Sequence, residues 1–262
     1  MTDQQTIEDN KQLLVQAAQS GDWVKVQQLI PLSNPKHNHS FALYAAAAKG
    51  HAECVKLLIP VSLCAAKDFS ALRVAAQNGH TQCVQMLTKK VGRDVLERAL
   101  VVAADCGHVQ CVEAIMAANP KIDGRLALTA AATAGHVECV QRLIPISNPK
   151  DPNFAGLWYA AMKGHVECVK ILLPLSDAKA RSSFALQMAT LYNHFDCIDL
   201  LFDVSDPELV VDALKKKSEP MQHVGLNGLW HLENKMESLR QRDVLTQQTS
   251  LVKSSSAPVK KI

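Results

Sequence analysis

The chain has 262 residues, room for one large domain or two small ones, with 48% apolar, 20% charged and only 5% aromatic residues. Its formal net charge of +3 resides in the last fifteen residues, where Lys253, Lys260 and Lys261 stand without an acid, and a balanced body argues against a nucleic-acid-binding surface. The absence of a run of eighteen apolar residues argues against a transmembrane helix, and the polar, acidic start over 1–10 reads as no secretory signal. Eight cysteines in a long chain without such a signal suit a reducing compartment.

The predicted elements repeat along the chain. A Gly-His pair stands at Gly50-His51, Gly79-His80, Gly107-His108, Gly135-His136 and Gly164-His165; Gly21-Asp22 precedes the series and Asn193-His194 continues it, in steps of 28 or 29 residues. A leucine lies seven residues before each pair, from Leu14 through Leu43, Leu72, Leu100, Leu128 and Leu157 to Leu186. Small residues follow it, as in Ala46-Ala47, Ala75-Ala76 and Ala131-Ala132, placed at i+3 and i+4 on one helical face. After the pair come a cysteine, a valine and a leucine. Each unit therefore reads as helix, tight turn, helix. Ser40, Ser70 and Ser183 are suited to cap first helices. The glycine ends the first helix in the left-handed conformation, which Asn193 also tolerates. Pro31, Pro60, Pro145 and Pro174 stop the second helix. Helices this short are unstable alone, so stability must come from stacking, as in a solenoid.

Both ends of the array are atypical. Lys25 holds the cysteine position of the first copy, as befits an N-terminal cap. The third and fourth copies lack the immediate proline, which predicts a local change after them. An eighth copy is degenerate: Ala213-Leu214 fits a helix start, but Lys215, Lys216 and Lys217 replace the small pair and Pro220 interrupts. Leu232, Met236 and Leu239 predict one more, covering helix. The domain reading is a repeat array over 1–217, a capping segment over 218–244 and a disordered basic tail over 245–262.

The repeated core Ala-Leu-x-x-Ala-Ala-x-x-Gly-His, followed by Cys-Val-x-x-Leu, resembles the ankyrin repeat family over about residues 9–216. The resemblance implies an all-α, ankyrin-like solenoid of stacked helix-turn-helix repeats. The period is 28–29 residues here against about 33 in the family, so the β-hairpin loops are expected to be short or absent. The family's Thr-Pro-Leu-His opening is replaced by Ala-Leu followed by Tyr44, Arg73, Val101, Thr129, Trp158 or Gln187.

Chemistry is sparse. Cys54, Cys83, Cys111, Cys139, Cys168 and Cys197 share one repeat position, where free cysteine packs as a small hydrophobe; Cys64 and Cys106 lie outside that register. His-x-x-Cys supplies two ligands per repeat where structural zinc needs four, so no metal is expected. Six equivalent Cys-His pairs read as scaffold, because catalysis needs one activated thiolate with a positioned base. A cysteine-dependent enzyme would show one strongly depressed thiol. No phosphate-binding loop is present, and neither a catalytic residue nor a cofactor is expected.

The positions that vary between copies are the candidates for recognition. One set follows the repeated leucine and includes Tyr44, Arg73 and Trp158. The other precedes the turn and comprises Lys49, Gln77, Asn78, Asp105, Met162, Lys163 and Tyr192; the family resemblance implies that it lines a concave surface. Tyr, Trp and Arg are the usual anchors of interfaces, and Tyr159, beside Trp158, joins the candidates although adjacent residues should point apart. Glu53, Lys56, Glu138, Glu167 and Lys170 on the second helices read as a solvated convex face. The expected function is a non-enzymatic protein-interaction module: an adaptor, an inhibitor or a sequestering protein. It is expected to be monomeric and cytoplasmic, with another protein as partner and neither membrane, small-molecule substrate nor nucleic acid. The alternative is an effector of an intracellular bacterium or virus acting on a host protein in the host cytoplasm. A nucleic-acid binder acting through the tail and Lys215–Lys217 is a further rival.

Overall fold

The computed structural model describes residues 3–33, 35–62, 70–149, 155–176, 180–216 and 226–255. Among them the regular structure is helical throughout, with no strand, in agreement with an all-α array lacking hairpin fingers. The chain forms two compact units, 1–156 and 157–262.

In the first unit the helices alternate in role. The first helices of the repeats are α1 (Asp3–Ser20), α3 (Pro35–Lys49), α5 (Ser70–Gln77), α7 (Arg93–Asp105) and α9 (Arg125–Ala134). The second helices are α2 (Trp23–Leu29), α4 (Ala52–Leu58), α6 (Thr81–Leu87), α8 (Val109–Ala118) and α10 (Val137–Leu143). First helices pack on first helices and second on second, so each repeat completes its neighbour's core. The side chains predicted to face inward do so. Leu72, Ala75, Ala76, Cys83, Val84 and Leu87 are all buried, and the small pair lets adjacent first helices approach closely. Four of these five second helices span only seven residues, too short to persist without that stacking.

The turn between the helices has one geometry. Gly79, for example, takes φ 76°; its N–H donates to Ala76 O and that of His80 to Ala75 O, so the small pair also supplies the carbonyls that close the helix. After α2 and α10 a single 3-10 turn carries Pro31 or Pro145. The fourth copy, which lacks that proline, has a second helix of ten residues. The third copy also lacks the proline, yet α6 stops after seven residues in a 3-10 turn over Thr88–Lys90, so the missing breaker permits the longer α8 without imposing it.

The second unit holds α11 (Gly156–Lys163), α12 (Val166–Leu172), α13 (Ala180–Leu191), α14 (Phe195–Phe202), α15 (Pro207–Lys216) and α16 (Leu226–Ser255). Helix α15 stacks on α13 as the first helix of the degenerate eighth copy, and α16 covers α13, α14 and α15. Its own Leu232 is fully buried in that contact. Helix α16 runs on to Ser255, past the boundary drawn at 244 and through part of the segment read as a disordered tail. Residues 245–255 contain no Gly or Pro, and a helix already nucleated propagates readily until a breaker intervenes. Residues 256–262 lie outside the described residues, as do Cys64, Lys217 and Pro220.

Two capping expectations are corrected. Ser40 lies within α3, not at its start. Ser183 lies within α13 with φ 61°, and its hydroxyl accepts the N–H of Asp206 at 2.8 Å. Its role is to tether the approach to α15, at the cost of a backbone conformation that a residue with a Cβ adopts only under constraint.

Candidate partner-binding face

The repeated histidines set the frame of the site. Each takes a non-helical conformation at the start of a second helix, yet its ring makes no capping bond there. It reaches back to the preceding repeat instead. His51 Nε2 donates to Gln19 O at 3.1 Å, His80 to Ala48 O at 3.1 Å, His108 to Gln77 O at 2.9 Å and His136 to Asp105 O at 3.0 Å. In the second unit His194 donates to Met162 O at 2.9 Å. A carbonyl only accepts, so each ring is the tautomer with its proton on Nε2. The acceptors belong to the last turn of a first helix, whose carbonyls have no partner within the helix. The rings thus satisfy the helix ends and join the repeats.

The same contact explains the glycines more fully than their dihedral angle does. A Cβ built on Gly79 would lie 2.7 Å from His108 Nδ1, and one on Gly50 2.6 Å from His80 Nδ1. Glycine is required both for the left-handed turn and for the ring that covers it. At Asp22 the carboxylate accepts the N–H of Lys25 at 3.0 Å as an ordinary N-cap.

The ladder uses main-chain atoms and leaves the candidate side chains outside. Lys49, Arg73, Gln77, Asn78, Asp105, Lys163 and Tyr192 are exposed, while Tyr44, Trp158, Tyr159 and Met162 are half-buried. Gln187 is buried. Tyr44, Lys49, Arg73, Gln77 and Asn78 come together on the adjacent helices α3 and α5. Arg73 Nη1 donates to Gln77 Oε1 at 3.3 Å, one turn apart on the same helix. Asn78 is already engaged: its Nδ2 donates to Ala48 O at 2.8 Å, the oxygen that also accepts from His80.

Trp158 and Tyr159 behave differently from the sequence expectation. Their rings do not point apart but stack, with centroids 3.6 Å apart at 26°. Long aromatic side chains on neighbouring helical positions fold back over one another although their Cβ vectors diverge. Trp158 also meets Phe184 of the next repeat edge-on at 5.1 Å, so part of its surface serves packing between repeats.

The sequence reading missed Phe41 and Leu126, which are 61% and 72% exposed. Both stand two residues before the repeated leucine, three residues from Tyr44 and Thr129 and hence on the same helical face. The signal was present as a third variable register, in which Gln12, Phe41, Ser70, Arg98 and Leu126 are equivalent. Phe41 stacks on Tyr44 with centroids 6.2 Å apart. It also borders a groove of about 400 Å³ between α1 and α3, with Leu14, Val15 and Ala42 as its other apolar members.

The second-helix face is charged and self-paired. Lys170 meets Glu167 at 2.7 Å and Arg142 meets Glu113 at 3.1 Å. The thiols are protected. Burial pushes Cys83, Cys139, Cys168 and Cys197 up to about 11 and also raises Cys54, Cys106 and Cys111. None of these seven has the depressed thiol of an activated nucleophile. Among the described residues no group of three or more His, Cys, Asp or Glu is placed to hold a metal ion, and no helix is long and apolar enough to cross a membrane.

Comparison with known proteins agrees with the architecture. The family model described as ankyrin repeats (3 copies) matches residues 14–98 and 145–211, and that described as ankyrin repeat matches residues 123–156. The crystal structure of the human ASB11 ankyrin repeat domain aligns with a TM-score of 0.57 at 22% identity, covering 72% of this chain and 96% of that one. At that identity the likeness concerns the fold. No curated protein matches the sequence.

Proposed function

The chain belongs to the ankyrin repeat family, whose repeats generally serve protein–protein interaction, and from that premise we propose that it is a non-enzymatic binding module that holds a protein partner on its first-helix face. One observation carries this reading. The residues shared by all copies are consumed by the core and the histidine ladder, whereas Lys49, Arg73, Gln77, Asp105, Lys163 and Tyr192 vary from copy to copy and project outward. Such a surface recognises by shape and by a few aromatic and arginine anchors. It makes and breaks no covalent bonds. Adaptor, inhibitor and sequestering roles all use it in this way.

The test is capture of partners from lysate by the native chain and by a variant carrying alanine at Tyr44, Arg73, Asp105 and Tyr192. These side chains are wholly or partly exposed, so helicity by circular dichroism should match. Loss of a protein that the native chain retains supports the reading. Retention of the same protein by both forms moves the contact to the second helices or the loops and overturns it.

A further inference from the structure

We propose that the groove between α1 and α3, together with Arg73 on the next first helix, α5, receives a short acidic peptide segment of the partner. An apolar side chain of the peptide fills the groove and a carboxylate one repeat further on pairs with Arg73. This rests on the reading that the first-helix face binds protein, and it names the chemistry of what is bound.

The groove is apolar where it meets α3, through Phe41 and Ala42, and its α1 side adds Leu14 and Val15. Its volume of about 400 Å³ accommodates a large aliphatic or aromatic side chain. Burying such a group is the main source of affinity at a small interface. Charge gives the occupant its direction. Glu8 on the α1 side is neutralised by Lys11 at 2.8 Å, so that side does not attract an anion. Helices α3 and α5 contain no acidic residue, yet they expose Lys49 and Arg73. Among the described residues neither cation has a carboxylate partner; Arg73 bonds only the neutral Gln77. First helices in contact lie about 8–10 Å apart, so the step from the groove, half a spacing before α3, to Arg73 on α5 is about 12–15 Å, or about four residues of extended peptide. An arginine fork binds a carboxylate with two parallel hydrogen bonds. Nucleic acid is disfavoured, because phosphate binding draws on many cations and, among the described side chains of α3 and α5, the cations are Arg73 and Lys49.

A random peptide library displayed on phage is panned against the full chain, and enriched peptides are titrated by fluorescence anisotropy. The expected peptides share an apolar residue and, about four residues away, Asp or Glu. Their binding should weaken by about tenfold or more with Phe41→Ser and with Arg73→Glu, recover in part with Arg73→Lys, and be unaffected by Lys170→Ala on the second-helix face. Both Phe41 and Arg73 are exposed, and circular dichroism checks each variant's fold. The proposal is overturned by failure to enrich peptides, by enriched peptides lacking an acid, by indifference to Arg73→Glu, or by oligo-dT competing for the same site. Peptides lost with Tyr192→Ala but not with Phe41→Ser overturn this site while leaving the first-helix reading standing. Peptides indifferent to all these first-helix substitutions overturn both.

Discussion

The side-chain oxygen of Asn193 accepts the backbone N–H of Gly228 at 2.7 Å. Asn193 occupies the turn position that is glycine in every earlier copy, with φ 61°. There the side chain is used rather than merely tolerated, because it takes up a backbone N–H of α16. Gly228 in turn is the residue that permits the approach, since a Cβ on it would lie 2.1 Å from Thr190 O. The repeat pair thus changes with position for physical reasons. It is Gly-Asp where the side chain caps its own helix, Gly-His where the ring reaches back to a neighbouring carbonyl, and Asn-His where α16 packs on the turn.

Gly228→Ala should displace α16, because its clash is with main chain that cannot rotate away. The expected outcome is faster amide exchange and earlier proteolysis across α16, with α14 and its buried Cys197 becoming accessible in turn. Asn193→Gly keeps the turn and loses only the acceptor, costing about 1 kcal/mol. Equal effects from the two substitutions would contradict the assignment of the close approach to Gly228.

The coupling of turn glycine to histidine is measurable in a double-mutant cycle. Gly79→Ala places a Cβ at φ 76°, worth about 1–2 kcal/mol of backbone strain, and also meets the His108 ring 2.7 Å away. His108→Ala alone gives up the bond to Gln77 O, about 0.5–1.5 kcal/mol. In the His108→Ala background Gly79→Ala should lose only the strain part. Urea unfolding of the four proteins reads the difference; identical costs with and without the ring would refute the second role of the glycine.

Period and core were legible in the sequence, because Leu72, Ala75 and Ala76 fall on one helical face and Cys83, Val84 and Leu87 on another. Those spacings report the interior of a single copy. What they do not report is which atoms meet across copies. The histidines mark the turn in the sequence, but their acceptors lie about thirty residues away and have no sequence signature, being carbonyls. Asn193 was correctly read as a left-handed residue, while its bond to Gly228 needed the path of α16. Of the candidate surface, exposure was well anticipated at Arg73, Gln77 and Asp105. Phe41 escaped notice because it lies near the start of a first helix, where the copies differ most and no shared residue marks the register. The edge-on contact of Trp158 with Phe184 of the next repeat is likewise a meeting across copies that no spacing within one copy reports.

Raised thiols make the fold sensitive to alkali. Burial, and then Glu138 and Cys111, push Cys139 up to about 11 from an ordinary 9.0. The folded chain keeps that proton where the unfolded chain has lost it, so the associated stability is fully present below pH 9 and is lost as pH rises toward 11. Urea midpoints should therefore fall across that interval, and Cys139→Val, which fills the same space without a titrating group, should flatten the fall. A midpoint that moves equally in both proteins would assign the effect elsewhere. At neutral pH a thiol reagent should react with these cysteines only as fast as the array opens.

Asp199 makes the opposite prediction at the acid end. Burial opposes its ionisation, but hydrogen bonds from Lys235 at 2.7 Å and His231 at 3.1 Å, with the charges of both, outweigh it and hold the carboxyl below its ordinary value of 3.8. Lys235 also stands over the Phe202 ring at 5.1 Å, and His231 lies 5.0 Å from Phe195, so this carboxylate anchors α16 to α14. A depressed carboxylate contributes stability that is present above its unfolded value and lost as pH falls through the folded one. Because the pair is half-exposed, its worth is about 0.2–1 kcal/mol. Asp199→Asn should loosen α16 slightly at neutral pH and leave its exchange rate unchanged at a pH low enough to protonate the native carboxyl. Salt should narrow the difference between the two proteins. A variant whose α16 exchanges as slowly as the native helix at neutral pH and low salt would show that Gly228 and Leu232 hold the cap without this ion pair.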